Sequence, residues 1–124
     1  MSPATCLAFL AGGAVGAPSR YLLDGYIQRR SDGAYPWGTF AVNAAGSLVF
    51  GVLTGLALEH GLDPTAKLVL GTGFCGAFTT FSTFTYETIR LAEQGATDKA
   101  FRNIATNVVV GTLLAALALA VTLR

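Results

Sequence analysis

Four long stretches of this chain carry no charged residue: the segment before Arg20, the segment from Gly33 to Leu58, the segment from Leu68 to Tyr86, and the segment from Asn103 to Leu123. Each is rich in Ala, Leu, Val, Phe and Gly, and a helix needs roughly 20 mostly apolar residues to cross a bilayer. The pattern predicts an all-α integral membrane protein. Four transmembrane helices are expected at approximately residues 4–26, 37–58, 66–92 and 98–123 of a single domain, 1–124. Tyr35 and Trp37 mark one membrane boundary, where amphipathic rings favour the headgroup level. Asp63-Pro64 is a helix start, with proline at the first helical position.

The polar positions inside these spans change the picture from a plain bundle. In the first span Gly12 and Gly16 form a small-xxx-small pair that lets another helix approach. Pro18 is expected to kink that span or loosen its bonding, and Arg20 can snorkel to the interface. In the second span Thr39, Asn43 and Ser47 are four apart and share one helix face. A mid-span asparagine is costly unless paired or wetted, so Asn43 is either glue between helices or a functional donor. The fourth span carries Thr106, Asn107, Gly111 and Thr112 in its first half and little but Ala and Leu in its second.

The third span is the most unusual. In "CGAFTTFSTFTYE" (Cys75–Glu87), Phe78, Phe81 and Phe84 recur every third residue with Thr79, Thr80, Ser82 and Thr83 between them and Thr85 after, and Gly71, Gly73 and Gly76 come just before or at its start. Glycine and threonine are poor helix formers, so the spacing predicts a broken helix around residues 74–80. Non-helical backbone at that depth is tolerated only where it is buried in protein or lines a cavity.

Composition narrows the function. Apolar residues make up 52% of the chain and charged residues 12%, against about a quarter charged in soluble domains. Four spans leave no room for a water-soluble catalytic domain, no phosphate-binding loop is present, and no nucleophile, base and metal group converge. An enzyme is therefore not expected, nor a nucleic-acid partner. The N-terminus lacks the basic region of a signal peptide and reads as a retained first span. Cys6 and Cys75 lie in apolar spans as small packing residues. His60 sits in a short loop without metal-binding companions. Arg29, Arg30, Arg90, Lys99 and Arg102 fall in the odd-numbered loops, against Lys67 and Arg124 on the other side. That bias favours odd loops inside.

A helix break supplies chemistry of both signs. Unwound carbonyls coordinate small cations, and the helix that resumes presents free N–H groups and the positive end of its dipole. An aromatic ring has a positive edge, so the edges of Phe81 and Phe84 can face an anion stripped of water. Asn43, Thr39, Ser82, Thr83 and Thr112 add uncharged donors. Sites of that kind bind an ion without trapping it. From residue types alone, ordinary packing remains the stronger reading.

Four segments resemble the Fluc/CrcB family of small fluoride channels: "GGAVGAPSRYLL" (Gly12–Leu23), "GTFAVNAAGSLVFG" (Gly38–Gly51), "GFCGAFTTFSTFTYE" (Gly73–Glu87) and, more loosely, "NVVVGTLLA" (Asn107–Ala115). The resemblance implies a fluoride-selective channel, multi-pass in the cell inner (cytoplasmic) membrane, that passively exports fluoride and lowers its cytoplasmic level. It implies an antiparallel homodimer with two pores, while the loop-charge bias leaves open a fixed orientation with an oppositely oriented paralogue as partner. A central structural sodium ion would be held by the backbone carbonyls of Gly76 and Thr79. Phe81 and Phe84 match the pore phenylalanines and Asn43 the pore asparagine. Thr39, Ser82, Thr83 and Thr112 fit the polar path, Arg20 fits the vestibule arginine, and Glu87 closes the third-helix motif with its role open. Val108 departs from relatives that carry a polar residue there. Two rivals remain. A small four-helix multidrug-type transporter would need a carboxylate deep in a span, whereas Asp24 and Glu87 lie near span ends. In a non-transporting assembly subunit the Thr39–Asn43–Ser47 stripe would be interface glue.

Overall fold

The computed structural model describes residues 1–124, and its regular elements are all helical. Helix α1 is Pro3–Arg29 and α2 is Trp37–Glu59. The third span, Pro64–Glu93, is divided into α3 (residues 64–78) and α4 (Ser82–Glu93), and α5 is Thr97–Thr122. Four helical spans are long and apolar enough to cross a membrane. Their starts are written in the sequence. The Ser2 hydroxyl accepts the Thr5 N–H at 3.1 Å ahead of Pro3. The Asp63 carboxylate accepts those of Thr65 and Ala66, at 3.0 and 3.1 Å, ahead of Pro64. Both follow the capping rule of a short polar side chain followed by proline. Helix α1 continues through Pro18. The turn between α4 and α5 uses Gly95 at φ +81°, a backbone state that a side chain would disfavour.

The third span is broken, and the break is narrower and later than the glycine spacing suggests. It occupies residues 79–81, between Phe78 and Ser82. The glycine-rich stretch Leu68–Cys75 stays wound, as a π-helix, and Gly76 is helical at φ −62°, ψ −38°. Gly73, with Gly12 opposite it on α1, serves approach between helices. A Cβ added to Gly12 would stand 2.6 Å from the Val69 carbonyl oxygen, and one on Gly73 would stand 2.8 Å from that of Phe9. Backbone therefore lies directly on backbone between α1 and the π-helical segment, the role expected for the α1 glycine pair.

Helices α2 and α5 pack along one another in the same way. A Cβ on Gly51 would reach within 2.5 Å of the Ala115 carbonyl oxygen, and His60 Nε2 lies 2.7 Å from the Thr122 carbonyl oxygen at the far end. Only 18 of 124 residues are buried, while Leu7, Leu10, Leu113 and Leu117 are each more than half exposed. So much bare aliphatic surface is untenable in water and suits contact with lipid or with another subunit.

Candidate functional site at the helix break

At the break two side chains, Asn43 and Thr80, take over bonds that a regular helix would make. Helix α3 ends at Phe78, and Thr79 turns to extended backbone (φ −78°, ψ 160°). Its hydroxyl and its N–H both bond back to the Cys75 carbonyl, each at 2.9 Å. The Thr80 N–H, which in a continuous helix would meet the Gly76 carbonyl, instead donates to Asn43 Oδ1 at 2.8 Å. Asn43 Nδ2 returns a bond to the Thr80 carbonyl at 3.0 Å. The Thr80 hydroxyl then accepts the Thr83 N–H at 3.2 Å, in the manner of a helix cap, and donates to Thr83 Oγ1 at 3.1 Å. That diverts the N–H that would have met the Thr79 carbonyl. The carbonyls of Gly76 and Thr79 thus lose their regular donors. Helix α2 comes close enough to arrange this because residue 46 is glycine, where a Cβ would run into the Thr79 methyl.

Beside the break a groove of about 300 Å³ is lined by Asn43, Thr80, Phe81, Phe84 and Asn107, with Val108 at its edge. The two rings lie 5.8 Å apart between centroids and are tilted by 52°. Phe81 is 78% exposed in the single chain. Ser47, Asn107 and Val108 also border a second groove, which continues between α2 and α5 past Gly111 to Thr112. A track therefore runs from the break to Thr112, with Val108 as an apolar point along it. A neighbouring groove contains Gly76, Thr79, Thr72 and Cys75.

Other expected residues fall elsewhere. Thr39 is buried, 1% exposed, and its hydroxyl donates to the Glu87 carboxylate at 2.5 Å. Its only hydrogen is spent on that carboxylate, which gives Glu87 a structural contact that the sequence left open. Ser82 is exposed on the first turn of α4, and Arg20 is half-buried on α1. Asn43 bonds across helices, to the third span and to α5. It borders the groove, yet both of its N–H groups are engaged, one by Thr80 and the other by Asn107 Oδ1 at 3.3 Å.

Two asparagines carry more than their sequence positions suggested. Asn107 Nδ2 bonds the Asn103 carbonyl at 2.8 Å and Asn103 Oδ1 at 3.0 Å. Asn103 Nδ2 bonds Thr88 Oγ1 at 2.8 Å, and Asn103 is fully buried. The signal was available: two asparagines four apart at the start of the charge-free part of the helix, the same device as Thr39–Asn43–Ser47. At the odd-loop end, Gln28 accepts the Gly38 N–H and donates to the Tyr35 carbonyl, both at 3.0 Å. The Arg102 guanidinium sits 4.4 Å over the Tyr35 ring, fixing the entry into α2.

Residues 7–119 match the model of the family described as CrcB-like protein, Camphor Resistance (CrcB). The chain is 51% identical over 105 residues to the fluoride-specific ion channel FluC 1 of Streptomyces avermitilis, covering 85% of each chain. It is 46% identical over 117 residues to a protein of the same name from Frankia casuarinae, covering 90% of each. It is 50% identical over 110 residues to another from Symbiobacterium thermophilum, covering 87% of this chain and 89% of the other. With a four-span fold broken in the third span, and similarity extending over nearly its whole length, this chain belongs to the CrcB family.

Proposed function

We infer that this chain is a fluoride-selective ion channel, which passes fluoride passively across the membrane and so lowers its cytoplasmic concentration. The observation that carries the reading is the groove at the break, where the Phe81–Phe84 pair meets amides and hydroxyls and no lining side chain is charged. The similarity to proteins named fluoride-specific ion channels agrees with it.

The chemistry follows from that lining. Ring edges carry partial positive charge, and neutral donors hold a small anion without a full countercharge, so it can leave. Thr112, on the second groove, has its hydroxyl hydrogen free for such an ion, and Thr83 and Ser82, beside the ring pair, likewise donate to no group of the single chain. At Asn43 the longer of its two donated bonds, 3.3 Å to Asn107, is the one an anion can recruit. Thr39 acts on the path through Glu87, and Arg20 draws anions toward the aqueous end. Proton-coupled multidrug transport would need a carboxylate in the groove, and the lining has none.

The working unit in this reading is an antiparallel homodimer in the cytoplasmic membrane, or a pair with an oppositely oriented paralogue. A second copy would cover Phe81 and close each groove into a path. The Gly76 and Thr79 carbonyls, freed of their helix donors, fit a sodium ion, since hard cations take oxygen ligands. Two carbonyls from each subunit would hold it, and the ion would neutralise carbonyl dipoles that meet at the centre.

Liposomes loaded with fluoride and containing the purified protein are expected to empty when a voltage-shunting ionophore is added, and chloride-loaded ones are not. Equal release of both anions would sink selectivity, and release of neither would return the chain to an assembly role.

A further inference from the structure

We propose that Asn103 and Asn107 are positioning residues of the pathway: with Asn43 and Thr88 they close a one-way hydrogen-bonded circuit that holds the segment from Thr80 to Phe84. The inference rests on the fluoride-channel reading only for the consequence it assigns to flux.

The circuit begins and ends on the same short segment. Thr80 offers its N–H and carbonyl to Asn43 of α2. Asn43 donates to Asn107 of α5, Asn107 donates to Asn103, and Asn103 donates back to Thr88 of α4. Thr88 donates to the Phe84 carbonyl at 2.8 Å. Both pathway rings lie between the two attachment points, so three helices clamp them through one chain of bonds.

Its direction is forced from one end. A backbone N–H can only donate, so the Thr80 N–H must meet the amide oxygen of Asn43. The Asn43 nitrogen then faces Asn107, which must present oxygen. Asn107 turns its nitrogen to Asn103, which again presents oxygen and leaves only its nitrogen for Thr88. An amide has one accepting and one donating end, so each residue has a single permitted orientation. The chain has no buried side-chain nitrogen or oxygen without a hydrogen-bond partner. Asn103 is fully buried, so removing its link to Thr88 would leave a donor stranded in a low-dielectric interior, the costly case for a buried network.

A packing role for Asn103 makes a different forecast from a positioning role, because the far end of the circuit is remote from it. The test follows exchange of the Thr80 amide hydrogen by NMR in micelles, together with fluoride efflux from liposomes. The variants are Asn103→Leu, which keeps the volume, and the pair Thr88→Val and Thr88→Ser. Asn103→Leu and Thr88→Val are expected to speed Thr80 exchange about tenfold, the size of one lost buried hydrogen bond, and to slow efflux by a similar factor. Thr88→Ser keeps the hydroxyl and is expected to stay within about twofold of the parent in both. Unchanged Thr80 exchange in Asn103→Leu and Thr88→Val would overturn the proposal. So would slowed efflux with unchanged exchange, which would make Asn103 part of the path itself. If Asn103→Leu fails to fold, the Thr88 pair decides alone. If the parent protein conducts no fluoride, the functional reading fails while the exchange measurement still judges the circuit.

Discussion

The hydroxyl of Thr39 donates its single hydrogen to the carboxylate of Glu87, joining the first turn of α2 to α4 across 48 positions of sequence. Thr39 is almost wholly buried, so the bond is protected from competition by water.

That relationship gives the first prediction. Thr39→Val keeps the shape but strips Glu87 of its donor, and stranding a partly buried polar group costs about 1–3 kcal/mol. Thr39→Ser keeps the hydroxyl and is expected to recover most of that loss. Thermal unfolding in detergent, compared across the two variants, checks the order. Equal stability of Val and Ser at this position would show that the hydroxyl contributes nothing.

The ring pair gives the second. Phe81→Ile and Phe84→Ile retain apolar bulk while removing the positive ring edge. Fluoride efflux is expected to fall at least about tenfold for each, on the scale of one lost favourable aromatic contact, with elution volume on gel filtration unchanged. Parent-like efflux for both variants would return the rings to packing.

Asn43 gives the third. Asn43→Asp still accepts the Thr80 N–H but has no hydrogen for the Thr80 carbonyl or for Asn107. It also places a carboxylate where an anion must pass, at a depth with little screening. Efflux is expected to vanish. Asn43→Ser, too short to span both Thr80 groups, is expected to conduct poorly and to unfold more readily. Retained efflux in Asn43→Asp would remove this side chain from the pathway.

Helix approach gives the fourth. The position of a Cβ on Gly12 is already occupied by the Val69 carbonyl oxygen. Gly12→Ala is therefore expected to push α1 away from the π-helical segment and to cost about 1–3 kcal/mol as an overpacked contact. Denaturation in detergent measures it. A neutral result would mean that α1 shifts freely on its neighbour.

The sodium site gives the fifth. If backbone carbonyls hold the ion, Thr79→Ser leaves the ligands in place and is expected to behave like the parent. Replacing sodium by potassium in the buffer is expected to weaken the dimer or slow efflux, because carbonyl cages discriminate by size. Diffraction from crystals grown in a heavier monovalent cation reports the site directly, and a water refined at that position would end the assignment.

The sequence alone determined the class, the four spans and the presence of a break. These depend on local composition: charge-free runs the length of a bilayer, and threonine and glycine where a helix should run. The segment Gly73–Glu87 also carried enough of its family's pattern to point to fluoride. Tertiary structure decided where the break falls and what each polar group does there. The break was expected over residues 74–80, yet Gly76 is still helical, and Gly73 just before it sits in the π-helical segment with its bare surface against the backbone of α1. The chain opens at Thr79–Phe81 instead, since Thr80 finds in Asn43, 37 residues away, partners for both its N–H and its carbonyl. The spending of Thr39 on Glu87 and the burial of Asn103 behind Thr88 were hidden for the same reason. Which donor meets which acceptor depends on how helices are placed in space, and residue spacing fixes only the face on which each one stands.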